Sequence, residues 1–123
     1  ILVEPVNRYE LNFINNLSEA AGVLQRLDRD NVRIMPDVFH MNIEDASITG
    51  QLVRFAEQIS YIHLADSNRL APGQGHLHFP DLINTLEGIG YDGWLTVEVL
   101  PQPGPDIAAR QSISYLRQLI PRN

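Results

Sequence analysis

Four apolar runs rich in β-branched residues recur along the chain, at Ile1–Val6, Val32–Phe39, Ile59–Ala65 and Trp94–Leu100. Their starts lie roughly 30 residues apart, the length of a strand plus a crossover helix. The intervals switch to a helical period. Leu17, Ala20, Ala21, Leu24 and Leu27 form one apolar stripe, with Asn16 in the N-cap position and Glu19 three residues on. Ile48, Leu52, Phe55, Ala56 and Ile59 form a second stripe, led in by Asp45. Leu82, Ile83 and Leu86 form a third behind Phe79, Pro80 and Asp81, where proline suits a first helical turn. Ile107, Ala108, Gln111, Ser112 and Tyr115, beside Ala109, Ile113, Leu116 and Ile120, predict a fourth helix ending before Pro121.

Such βαβαβαβα alternation predicts a parallel sheet, and near-continuous apolar strands predict cover on both of its faces. Each run breaks near its C-terminal end with a polar residue: Glu4, Asp37, His63 with Asp66, and Glu98. Pro5, Pro36 and Pro101 punctuate the same ends, as expected where ladder pairing stops. Strand parity puts Leu2 with Glu4, Met35 with Asp37, Tyr61 with His63, and Thr96 with Glu98 on common faces. With those faces turned inward, four polar groups converge at one end of the sheet. A doubly wound sheet would carry a glycine-rich loop after its first strand, and the stretch from Glu4 to Arg8 has no glycine. A (β/α)8 barrel places its catalytic residues at the C-terminal ends of several strands, which is the pattern seen. A whole barrel needs about 250 residues. The 123 residues therefore predict four βα units, half of a single TIM-barrel domain. Half a barrel has two raw strand edges, which proteins cover, so self-association or docking with a missing half is expected.

Composition narrows the classes. Hydrophobic and charged contents of 44% and 20% belong to a folded chain. With 15 Asp and Glu against nine basic residues, all of them Arg, the net charge of −6 argues against a nucleic-acid partner. No apolar run is long enough for a transmembrane helix, so no membrane partner is expected. The absence of Cys excludes disulfides, thiolate metal sites and Cys nucleophiles. The chain opens directly in a strand pattern, without Met or a signal-like segment. Residue 1 is thus expected to be an internal cut in a longer, cytoplasmic protein.

Glu4, Asp37, His63 and Glu98 together form an O₃N donor set. Three carboxylates held close to one another are unfavourable unless a divalent cation compensates them. Hard-to-borderline donors of this kind suit Mn²⁺, Mg²⁺ or Co²⁺. Such an ion can bind adjacent oxygens of a sugar and polarise a carbonyl.

The segments LVEPVNRYE, PDVFHMNIED, IHLADSNRLAPGQGH and GYDGWLTVEVLP resemble the C-terminal half of the xylose-isomerase-like barrel superfamily, strands five to eight in the family's order. The resemblance is strongest to ketose 3-epimerases of the D-tagatose/D-psicose type and their sugar-phosphate isomerase/epimerase relatives. It implies a divalent-metal-dependent isomerase or epimerase acting on a small sugar. Glu4, Asp37, His63 and Glu98 would hold one ion, Mn²⁺ before Mg²⁺ or Co²⁺. Glu4 and Glu98 would double as the two bases that deprotonate and reprotonate a ketose carbon through a cis-enediolate. Glu10, His40 and Arg69 match substrate-binding positions.

Other signals have plainer readings. The stretch from Pro72 to Gly75 lacks the Lys and Ser/Thr of a phosphate loop and is expected to be a turn. His76 and His78 are expected in a loop or at a helix entry, and His78 stands where many family members have an acidic residue. Trp94, Tyr61 and Phe55 are expected to pack in the interior. Two alternatives to the epimerase remain at this point. One is a zinc phosphodiesterase resembling apurinic endonucleases, for which four His and no Lys are a poor endowment. The other is a catalytically silent half-barrel lacking the loops that enclose substrate.

Overall fold

Local capping decides where the chain leaves the sheet and turns helical. The computed structural model describes residues 1–120. The strands are β1 (Leu2–Val3), β2 (Arg33–Ile34), β3 (Tyr61–Leu64) and β4 (Trp94–Val97). The helices are α1 (Leu17–Leu27), α2 (Val38–Glu44), α3 (Ile48–Arg54), α4 (Phe79–Gly88) and α5 (Pro105–Leu119), with a 3₁₀ turn at Ala56–Gln58.

β1 pairs with β2, Leu2 opposite Arg33 and Val3 opposite Ile34, and β3 pairs in parallel with β4 from Tyr61–Trp94 to Leu64–Val97. Parallel bridges at Ile34–Ile59 and Asp37–His63 join the two pairs. The order β1-β2-β3-β4 thus follows the chain, each strand lying beside the next after a helical crossover. This is the progression of a (β/α)8 barrel, and the molecule is a four-unit part of one.

Alternation sorts the side chains of β3. Ile62 and Leu64 are fully buried, while Tyr61 and His63 on the opposite face are half-buried and touch edge-on at 5.7 Å. Ile62 and Leu64 join a core that includes Leu17 and Ala20 of α1, Leu52 of α3, Leu82, Ile83 and Leu86 of α4, and Leu116 of α5. Burying such side chains stabilises the fold by about 1.5–3 kcal/mol each. The Tyr61/His63 face is left for chemistry.

Several boundaries differ from the pattern. The second apolar run ends early because Asp37 Oδ1 accepts from the Phe39 amide at 2.8 Å and caps α2, so Val38 and Phe39 are helical. Asp45 does not lead in the following helix. It closes α2, and Ser47 caps α3 through the Gly50 amide at 3.1 Å. That helix stops at Arg54, and Ile59 belongs to the sheet bridge. The expected N-cap does form at α1, where the Glu19 amide donates to Asn16 Oδ1 at 3.0 Å and the Glu19 carboxylate accepts from the Asn15 amide at 2.8 Å. In α5 the buried stripe is Ala108, Ser112 and Leu116, while Ile107 and Ile113 are exposed. Phe55 is buried as expected. Trp94 is not: it is 73% exposed, because it starts a strand whose only strand partner among the described residues is β3. Pro121 lies outside the described residues. No described helix is long and apolar enough to cross a membrane.

Burial raises the Asp45 carboxyl to about 6, with Gln51 pulling the other way. Between pH 4 and 6 the folded state then holds a proton that the unfolded state has released, so stability falls as pH rises through that window. Asp45→Asn in the full-length protein is expected to gain about 1–3 kcal/mol over the parent at pH 7 and nothing at pH 3.5. Thermal melts at both pH values check this, and a gain independent of pH would contradict it.

Candidate functional site

All four strand-end groups meet. Glu4 follows β1, and buried Pro5 ends the pairing there. Asp37 spends Oδ1 on its cap and leaves Oδ2 without a partner. His63 lies within β3, where its amide donates to Pro36 O at 2.8 Å and aligns it with Asp37 across the bridge. Glu98 follows β4, its amide held by Leu64 O at 3.1 Å. Ligand atoms from Glu4, Asp37, His63 and Glu98 all lie within 4.8 Å of one another. His63 Nδ1 is 3.3 Å from Glu4 Oε1 and 3.7 Å from Glu98 Oε2.

The electrostatics show what the cluster lacks. Burial pushes Asp37 up to about 7, and the neighbouring Glu98 and Glu4 charges add to the rise. Glu4 is also raised, chiefly by burial, against the pull of His63. At Glu98 burial acts upward, but the Arg69 hydrogen bond and the His63 charge outweigh it and the carboxyl is lowered. Glu4 Oε1, Asp37 Oδ2 and His63 Nδ1 are buried with no hydrogen-bond partner among the described residues. Buried polar atoms are normally paired, and three orphans in one cluster of donors call for a bound group. Oxygen and imidazole donors at this spacing fit a single divalent cation.

A second tier lines the rim. Arg69 reaches Glu10 Oε1 at 3.0 Å with Nη1 and Glu98 Oε2 at 2.9 Å with Nη2, and its guanidinium lies 4.8 Å above the Phe39 ring. Its backbone is left-handed, φ 60°, a conformation that a non-glycine residue adopts at some cost. Its backbone is also held at both ends, by Asp66 O and by the Leu100 amide, each at 2.8 Å. His40, in α2, is buried with Nε2 3.8 Å from Asp37 Oδ2. Glu10, His40 and Arg69 are therefore brought together beside the four-residue cluster.

Asp66 takes a different part. Fully buried, it accepts the Ser67 and Leu77 amides on Oδ1, at 2.7 and 3.0 Å, and the Gly73 amide on Oδ2 at 2.8 Å. Burial would raise this carboxyl, but the ring of amides lowers it. The expected turn from Pro72 to Gly75 is thus wrapped round a carboxylate. Gly73 needs its positive φ of 89°, and a Cβ on Gly75 would collide with Asp66 Oδ1. His76 is exposed, and His78 precedes α4 and pairs with Asp81 at 3.0 Å.

Three features of the rim escape sequence reasoning. Asn7 is buried between His40 and Glu10. Phe39 lies beneath Arg69, and Arg8 makes a two-pronged pair with Glu44 at 2.9 and 2.8 Å that ties the β1 loop to α2. An Asn in an Asn-Arg-Tyr-Glu loop gives no sign of burial, because Asn is most often a turn residue.

Known proteins share this fold. The family model described as Xylose isomerase-like TIM barrel matches residues 1–119. The chain is 33% identical over 118 residues to the 3-dehydro-D-guloside 4-epimerase of Escherichia coli, covering 95% of the chain and 45% of that protein. The crystal structure of a D-allulose 3-epimerase from Methylomonas sp. superposes with a TM-score of 0.89 at 25% identity, over 97% of this chain and 48% of the other. A family 2 AP endonuclease from Brucella melitensis matches with a TM-score of 0.84 at 31% identity, over 93% and 45% respectively. The chain spans under half the length of each of these relatives. With almost every residue inside the family match and the same βα progression in the structure, the chain belongs to the xylose isomerase-like TIM barrel family.

Proposed function

We propose that this chain is the C-terminal half of one TIM-barrel domain, strands five to eight, of a divalent-metal-dependent sugar isomerase/epimerase. The observation that carries the proposal is the meeting of Glu4, Asp37, His63 and Glu98 with three unpartnered buried atoms among them. These four residues would hold the ion, with Mn²⁺ preferred and Mg²⁺ or Co²⁺ as substitutes. The ion would act as a Lewis acid that polarises a substrate carbonyl and acidifies the adjacent C–H.

The chain's own residues then handle the proton and the substrate. Glu4 and Glu98 stand on either side of His63, at the ends of β1 and β4. A ketose carbon set between them loses its proton to one glutamate and receives a proton from the other on the opposite face of a planar enediolate. Inversion follows without turning the intermediate over. Arg69, Glu10 and His40 bind the sugar's oxygens, and Arg69 offers planar, permanently charged donors. Its pairs with Glu98 and Glu10 fix it before substrate arrives, which lowers the cost of ordering the site.

Enclosure requires the other half of the barrel. Ile1 and Leu2 at one end of the sheet, and Trp94 and Leu100 at the other, are exposed apolar groups suited to cover by further βα units or by an associated copy. The same proposal carries a small sugar as partner, neither nucleic acid nor membrane, and a cytoplasmic location.

The likeness to the Brucella protein favours the phosphodiesterase as a second reading. Against it, the described cluster has one His, with His76 exposed and His78 engaged by Asp81. An acidic chain without Lys is also a weak electrostatic match for DNA.

In the full-length protein, Glu4→Gln and Glu98→Gln are each expected to slow exchange of the C3 proton of D-allulose with solvent by at least about a hundredfold while the fold persists. Deuterium incorporation followed by NMR reads this, and wild-type exchange in either variant would refute the two-base scheme. Arg69→Ala is expected to lower turnover by on the order of 10- to 100-fold and to change Mn²⁺ affinity far less. Calorimetry beside kinetics checks that split, and a primary loss of metal affinity would count against the role given to Arg69.

A further inference from the structure

Asn7 is 2% exposed, and every hydrogen-bonding atom of its side chain is engaged. The donor and acceptor roles follow by elimination. The Tyr9 amide, which can only donate, lies 3.0 Å from the Asn7 side chain, so the atom facing it is Oδ1. The opposite end is therefore the NH₂ group, with two hydrogens to give. Its two neighbours are Glu10 Oε1 at 3.1 Å and His40 Nδ1 at 2.7 Å. The Asn7 backbone amide also donates to His40 Nδ1, at 3.3 Å. Two donors aimed at one ring nitrogen require a bare lone pair there, so the ring hydrogen of neutral His40 is on Nε2.

No group among the described residues accepts that hydrogen within hydrogen-bond length. The nearest acceptor that pairs with Nε2 is Asp37 Oδ2, at 3.8 Å, beyond hydrogen-bond length. A bare Nδ1 also makes the ring neutral, since an imidazolium carries hydrogens on both nitrogens.

We infer that Asn7 is a positioning residue that locks His40 in its Nε2–H tautomer, so that His40 offers substrate a neutral hydrogen-bond donor and not a base. The consequence is selective. A donor at this place stabilises a carbonyl or developing alkoxide oxygen, whereas the other tautomer would turn a lone pair toward the same oxygen and repel it. Asn7 also ties this choice to the rest of the rim, because the oxygen of Glu10 that it bonds is the one bonded by Arg69. The kinetic part of this inference rests on the epimerase function proposed above; the tautomer does not.

The test uses ¹⁵N-labelled full-length protein loaded with diamagnetic Mg²⁺, with His40 assigned through His40→Gln. Long-range ¹H–¹⁵N correlation is expected to show His40 protonated at Nε2 and bare at Nδ1. Asn7→Asp places a carboxylate oxygen beside Nδ1 and is expected to move the hydrogen there. It should also lower kcat/KM for D-allulose by on the order of 10- to 100-fold, mainly in kcat. Combined with His40→Gln it should add no further loss, since both changes break the same contact. A wild-type His40 carrying its hydrogen on Nδ1 would overturn the inference, and that spectrum needs no variant to fold. An unchanged tautomer in Asn7→Asp, or additive losses in the double variant, would overturn it equally. Failure of the full-length protein to turn over any ketose, with the Nε2–H tautomer seen, would sink the epimerase function and leave the lock intact.

Discussion

Three carboxylates crowd round one imidazole at the tips of adjacent parallel strands, and the burial and mutual repulsion of those carboxylates are the load that the rest of the site answers. With protons alone the load is relieved by pushing Asp37 to about 7 and raising Glu4. A divalent cation would take the same oxygens as ligands and would give the orphaned atoms of Glu4, Asp37 and His63 a partner. A fold does not gather such groups for stability, because apolar residues would pack there at lower cost. Sheet order makes the gathering possible. Each strand neighbours the next, so residues distant in sequence arrive at one rim.

Around the cluster, rigidity comes from carboxylates and amides that have other work. Asp66 holds the loop from Ser67 to Leu77 with three amides, and that loop sets the left-handed backbone from which Arg69 crosses to Glu10 and Glu98. Arg8 and Glu44 tie the β1 loop to α2, and Asn7 joins His40 to Glu10 inside that tie. The helices supply an apolar layer on one face of the sheet, leaving the other free to be polar. The groups beside the cluster thus sit on segments pinned by side-chain contacts, Arg69 on a loop held by Asp66 and His40 in α2 against Asn7.

Much of this was legible in the amino-acid order. Apolar runs rich in β-branched residues located the strands and a 3.6-residue period located most helices, and polar breaks at strand ends together with parity singled out Glu4, Asp37, His63 and Glu98. Glu10, His40 and Arg69 depended on family resemblance, since a lone Glu, His or Arg outside a strand end has no periodicity to betray it. What stayed hidden was decided by competition between local caps or by contacts across the fold. Asp37, Asp45 and Ser47 can all begin a helix, and in the folded chain Asp37 and Ser47 do. Asn7 becomes informative only once α2 brings His40 within 2.7 Å of it. Trp94 follows a strand pattern, yet its exposure depends on which strands flank it.

The central claim concerns a single shared ion, and anomalous diffraction from Mn²⁺-soaked crystals of the full-length protein tests it most directly. One peak is expected per barrel, within bonding distance of Glu4, Asp37, His63 and Glu98 together. Several peaks in a zinc-rich cluster, or a lone peak that any of these four side chains fails to reach, would contradict it.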